Sequence, residues 1–204
     1  MNRKIILDSK ELDCIYKLRD VFSLELCKIL KTKRTIIFLC IGTDRSTGDS
    51  LGPLVGEKLK DLIPKHFILY GTLEHPVHAK NLKEILNEIK NKYTYPYIIA
   101  IDACLGKLNN IGNIILENKP LSPGAAMNKD LPKVGDLSIT GIVNISGTLE
   151  FMVLQNTRLY TVMYLANIIS QGIYHSILKT IGSNNYNFNS FFNSTISNPT
   201  TKCK

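Results

Sequence analysis

The chain has 204 residues, 44% of them hydrophobic and 21% charged, with a formal net charge of +8. That length suits one domain with a substantial core, and the composition is that of a soluble globular protein. Five cysteines, odd in number and without zinc-ligand spacing, argue against a disulfide framework and fit a reducing compartment.

No basic start leads into an apolar stretch, so a secretory leader is not expected. Residues 8–30 carry Leu12, Ile15, Leu18, Phe22, Leu26 and Ile29 at helical spacing, which predicts a helix. The basic cluster "KTKR", Lys31 to Arg34, follows and reads as part of a solvated, Lys-rich surface. No zinc finger, RNA-recognition signature or aromatic-basic stripe supports a nucleic-acid surface. The periodicity then alternates. Strands are predicted at 35–41, 66–70, 97–101, 112–116 and 137–143. Helices are predicted at 51–63, 81–91 and 158–181. Alternation of this kind predicts an α/β fold with a mostly parallel sheet. The stretch 159–181 is broken by Asn167, Gln171, His175 and Lys179, too polar for a membrane span and suited to a buried helix. Residues 183–204 are rich in Asn and Ser with little periodicity and read as a flexible tail.

Between the first strand and the next helix lies "GTDRSTGDSLGP", Gly42 to Pro53. Its glycine spacing is close to that of a phosphate loop. Yet Asp49 stands where a phosphate loop needs lysine, and an acid there repels phosphate. A second acid, Asp102, follows the apolar run "YIIAI". In a doubly wound sheet the ligand site lies beyond the carboxyl ends of the strands. If the second, first and third of the predicted strands lie in that order, both carboxylates meet over one crevice. Asp49 lies before a helix N-terminus, which favours its ionised form. Desolvation at Asp102 would favour the protonated form. Such a pair can divide base and acid roles around an attacked water. A helix cap for Asp49 and a turn former for Asp102 are the alternative readings.

Other constellations are weaker. There is no G-x-S-x-G, H-E-x-x-H, G-K-[ST] or G-x-G-x-x-G. His75 and His78 could join Glu74 around a metal, but a polar loop is the commoner meaning of such a segment. The loop "PLSPGAAMNKDLPKVGD" is long enough to wall a crevice.

Taken together, "TIIFLCIGTDRSTGDSLGP", "IIAIDACLG", "LSPGAAMNKDLP" and "GIVN" resemble the YyaC family of spore proteases over about residues 35–181. That family is similar in fold to the germination protease of spores and to the hydrogenase maturation endopeptidases. The resemblance implies a three-layer α/β sandwich with a mostly parallel central sheet. One peptidase-like domain is expected over 1–182, with 1–34 as a helical extension. The resemblance also implies Asp49 and Asp102 as the catalytic pair, with Thr43, Ser122 and Gly124 binding substrate. The hydrogenase-type enzymes carry a metal-binding histidine after a Ser-Pro pair, whereas Ser122 and Pro123 are followed here by Gly124. No metal or other cofactor is therefore expected. A protein or peptide substrate is expected, with small acid-soluble spore proteins as candidates, in the cytoplasm of the developing spore. Neither a membrane nor a specific nucleic acid is expected as partner, and homo-oligomerisation is left open. A hydrogenase-maturation-type endopeptidase, or a non-catalytic spore assembly protein on the same fold, are the rival readings.

Overall fold

A computed structural model describes residues 3–124 and 131–182. The Asn/Ser-rich tail expected at 183–204 lies outside the described residues. Six strands form one sheet in the order β1-β5-β6-β4-β2-β3. They are β1 (Lys4–Asp8), β2 (Ile36–Cys40), β3 (Ile68–Tyr70), β4 (Tyr97–Gly106), β5 (Asn113–Glu117) and β6 (Leu137–Ile145). The pairs β2–β3, β2–β4 and β4–β6 are parallel; β5–β6 and β1–β5 are antiparallel. The sheet is thus mostly parallel, and β3, β2 and β4 lie in the expected order.

Among the described residues the α-helices are α1 (Cys14–Lys31), α2 (Leu51–Leu59), α3 (Leu82–Lys92), α4 (Glu150–Gln155) and α5 (Leu159–Gly182). Every residue of β2 is buried, because a central parallel strand is covered on both faces. Its Ile36, Phe38 and Cys40 join the core beneath α1, α2 and α5. Its Ile37 and Leu39 point the other way and join Leu82 and Ile89 of α3. The architecture is a three-layer α/β sandwich. Among the described residues no helix is long and apolar enough to cross a membrane.

The first 34 residues are not a helical extension. β1 completes the sheet by pairing with β5, Lys4 opposite Glu117 and Asp8 opposite Asn113. Leu18, Phe22 and Leu26 of α1 are wholly buried, each contributing about 1.5–3 kcal/mol by leaving water. Gly172 lets α5 approach so closely that a Cβ there would stand 2.6 Å from Leu18 Cδ2. The Ser176 hydroxyl donates to the Arg19 carbonyl at 2.9 Å across the same contact.

α3 packs on its face of the sheet against Ile37 and Leu39 of β2 and Ala100 of β4. Leu137 and Ile139 of β6 and Leu116 of β5 point into the core under α5. The alternating residues Ser138, Thr140 and Glu117 point to the opposite face. There they border a cavity rather than a helix.

Candidate active site

The loop between β2 and α2 is closed by its own backbone. The Thr43 N–H donates to the Asp49 carbonyl at 3.0 Å, and the Asp49 N–H donates to the Ser46 carbonyl at 3.0 Å. Gly42 has φ +139°, and a Cβ there would lie 2.0 Å from the Asp49 carbonyl oxygen. The conformation and the space both require glycine. Residues Gly48–Ser50 make one 3-10 turn that runs into α2. Gly52 then presses α2 onto β2, since its Cβ would meet the Ile41 carbonyl oxygen at 2.0 Å. Close approaches of backbone thus require Gly42 and Gly52. They hold Asp49 at the head of α2.

Asp102 was expected at the end of a strand spanning 97–101. It lies instead inside β4, paired with Thr140 of β6. Pairing with β6 carries β4 on to Gly106, with an irregularity between Cys104 and Leu105. Asp102 is 6% exposed. The Ala103 N–H donates to its Oδ1 at 2.8 Å. Burial first, then the negative charge of Asp49, raise its carboxyl well above the ordinary range, against the lowering effect of the Ala103 N–H.

Asp49 and Asp102 border one cavity of about 580 Å³. Its floor is the sheet face bearing Asp102, Cys104, Glu117, Ser138 and Thr140. One wall is the Pro/Gly-rich loop, contributing residues from Lys119 to Ser122, Gly124 and Lys133. This loop is pinned by reciprocal backbone bonds between Leu121 and Val134, each 2.9 Å. Glu150 and Leu154 of α4 form a further part. Of the expected substrate-binding residues, Ser122 and Gly124 line the cavity. Thr43 does not, and supports the Asp49 loop from behind through its N–H.

Cys104, Glu117, Ser138, Thr140 and Glu150 were not read as site residues. The signal available for two of them was polarity at alternate positions in the otherwise apolar "LSITGIV". Cys104 is no ready nucleophile, because burial pushes its thiol up to about 11. His75 and His78 border a different cavity of about 560 Å³, with Tyr70, Thr72 and Asn81. Gly124 brings no donor atom to the place of the hydrogenase-type histidine. Among the described residues no three of His, Cys, Asp or Glu gather around a metal position.

The family model described as "Protein of unknown function (DUF1256)" matches residues 6–172. "Uncharacterized protein YyaC" of Bacillus subtilis (strain 168) is 54% identical over 140 residues, covering 69% of this chain and 68% of YyaC. Among solved structures, the [NiFe] hydrogenase maturation protease HycI from Thermococcus kodakarensis KOD1 superposes with a TM-score of 0.47 at 19% identity. That superposition covers 78% of this chain and 97% of HycI.

Proposed function

The chain belongs to the DUF1256 family, and we propose that it is a peptidase in which Asp49 and Asp102 activate water. The observation that carries the proposal is the pair itself. Two carboxyl groups from different elements border one cleft, one at a helix head and one held toward its protonated form by burial and by its neighbour's charge. Their unlike surroundings suit them to unlike roles.

In this reading Asp49 is the base. It takes a proton from a water molecule as the water oxygen adds to the peptide carbonyl carbon. Asp102, protonated, donates a hydrogen bond to the carbonyl oxygen, where negative charge gathers. The proton held by Asp49 then passes to the amide nitrogen. The C–N bond breaks, leaving a carboxylic acid and an amine. Ser122 and the backbone at Gly124 lie on the wall along which a peptide would run. The setting that goes with this proposal is the cytoplasm of a developing or germinating spore, with small acid-soluble spore proteins as substrates.

The test is to incubate the full chain with a spore-protein extract and map new termini by mass spectrometry, beside Asp49→Asn and Asp102→Asn. Each variant keeps shape and loses an ionisable oxygen, so cleavage should fall by orders of magnitude. New termini that persist in either variant would refute the pair. No new termini with wild type would leave a binding protein without turnover.

A further inference from the structure

We propose that Glu150 is a specificity-determining residue of the cleft, pairing with a lysine or arginine side chain of a peptide substrate. The inference rests on the peptidase reading for the word substrate, but not for the recognition itself.

α4 is held in a fixed relation to Asp49. Gly48, the residue before Asp49, packs so tightly against α4 that a Cβ would stand 2.8 Å from both Leu154 Cδ2 and Thr157 Oγ1. The Asn144 side chain ties β6 to the same element, donating to Thr157 Oγ1 at 3.2 Å and to the Val153 carbonyl at 3.4 Å. Glu150 and Leu154, one helical turn apart, are the α4 residues that border the cavity.

The charges around the cavity are unevenly answered. Glu117 has Lys119 at 2.9 Å and Lys4 at 3.4 Å. The Glu150 side chain has no hydrogen bond or ion pair among the described residues. Among the described residues, the cations that border the cavity, Lys119 and Lys133, come from the loop wall. Lys119 is answered by Glu117, whereas Glu150, only partly buried, stands on the α4 side of the cavity without a cation among the described residues.

A neighbour of Glu150 defines the ligand further. Leu154, one turn on, is the apolar α4 side chain that borders the cavity with it. An unpaired carboxylate beside an apolar side chain matches a lysine or arginine, whose aliphatic stem lies on apolar surface while the charged head finds an acid. A glutamate or a plain aliphatic side chain satisfies only one of the two features, or neither.

The experiment uses the full chain and a randomised decapeptide library. Binding is read by affinity enrichment on immobilised Asp49→Asn protein, and cleavage by mass spectrometry with wild type. Lysine or arginine should be enriched about fivefold to tenfold at one position. Adding Glu150→Gln should abolish the enrichment, Glu150→Lys should turn it toward Asp and Glu, and Glu150→Asp should retain part of it. Melting curves establish that each variant is folded. Absence of basic enrichment, or enrichment unchanged in Glu150→Gln, overturns the proposal. Selective binding without cleavage would support Glu150 while refuting the peptidase reading. Cleavage indifferent to basic residues would do the reverse.

Discussion

Asp49, from the turn after β2, and Asp102, from the adjacent strand β4, border one cavity, and the charge of Asp49 adds to burial in raising the Asp102 carboxyl. Replacing Asp49 by Asn removes that charge and leaves the burial. The Asp102 titration should therefore move down, yet stay above the ordinary range for aspartate, since burial is the larger cause. Carbon-13 carboxyl NMR of the two proteins measures this directly. An unmoved Asp102 titration would mean that the two groups do not sense one another.

The same carboxyl makes stability depend on pH. An unfolded aspartate titrates near about 3.9, and the folded Asp102 titrates higher. Below both values the group is protonated in both states and costs nothing. As pH rises, the unfolded chain ionises freely while the folded chain resists, so stability falls until the folded value is passed. Asp102→Asn escapes this loss and can still accept the Ala103 N–H. Its stability relative to wild type should increase from about pH 4 upward. Denaturant melts across that range test it, and a gap independent of pH would contradict the buried, protonation-favouring site.

How much of this was legible depends on how local the cause was. β2 and β4 could be read because strands buried on both faces are continuous apolar runs. The glycine-rich strand-to-helix turn that carries Asp49 could be read because its residues are contiguous. β1 could not: "KIILD" is five residues long, and its partner β5 lies over a hundred positions away. The extent of β4 past Asp102 is set by β6, not by its own residues. α4 is six residues long and has too few turns to show periodicity. The cleft floor was hidden for the same reason. Asp102 meets Thr140, and Ser138 meets Glu117, only through the register of three strands.

The turn carrying Asp49 supplies a stability prediction with an internal control. Gly42→Ala would place a Cβ 2.0 Å from the Asp49 carbonyl at φ +139°, so the loop must shift. The cost should be about 2 kcal/mol or more, and any activity should fall with it as Asp49 is displaced. Gly147→Ala meets nothing within 4 Å and should change stability by less than about 0.5 kcal/mol. Equal melting temperatures for the two variants would contradict the packing described at Gly42.

Arg34 offers the last prediction, at the other end of the strands. It belongs to the "KTKR" cluster, which reads as solvated surface, but its guanidinium is spent inside the fold. Nε donates to the Tyr95 carbonyl at 3.1 Å, and Nη2 donates to the Pro96 carbonyl. Nη2 also meets both carboxylate oxygens of Asp136, at 3.0 and 3.1 Å. Asp136 Oδ2 in turn accepts the Ile98 N–H at 2.9 Å. The guanidinium lies 4.2 Å from the Tyr95 ring centroid and 4.8 Å from that of Tyr97. One planar group thus ties the segment leading into β2 to the starts of β4 and β6. A lysine ammonium keeps the charge but cannot serve these acceptors together or stack as a plane. Arg34→Lys should therefore cost about 1–3 kcal/mol, the loss of charge-assisted bonds from a partly buried site. Asp102 lies toward the opposite end of β4, so its titration should be unchanged. A thermal melt and the carboxyl spectrum of one sample check both halves. A melting temperature equal to wild type would return Arg34 to the solvated surface, and a shifted Asp102 would mean that the clamp sets the strand register at the cleft.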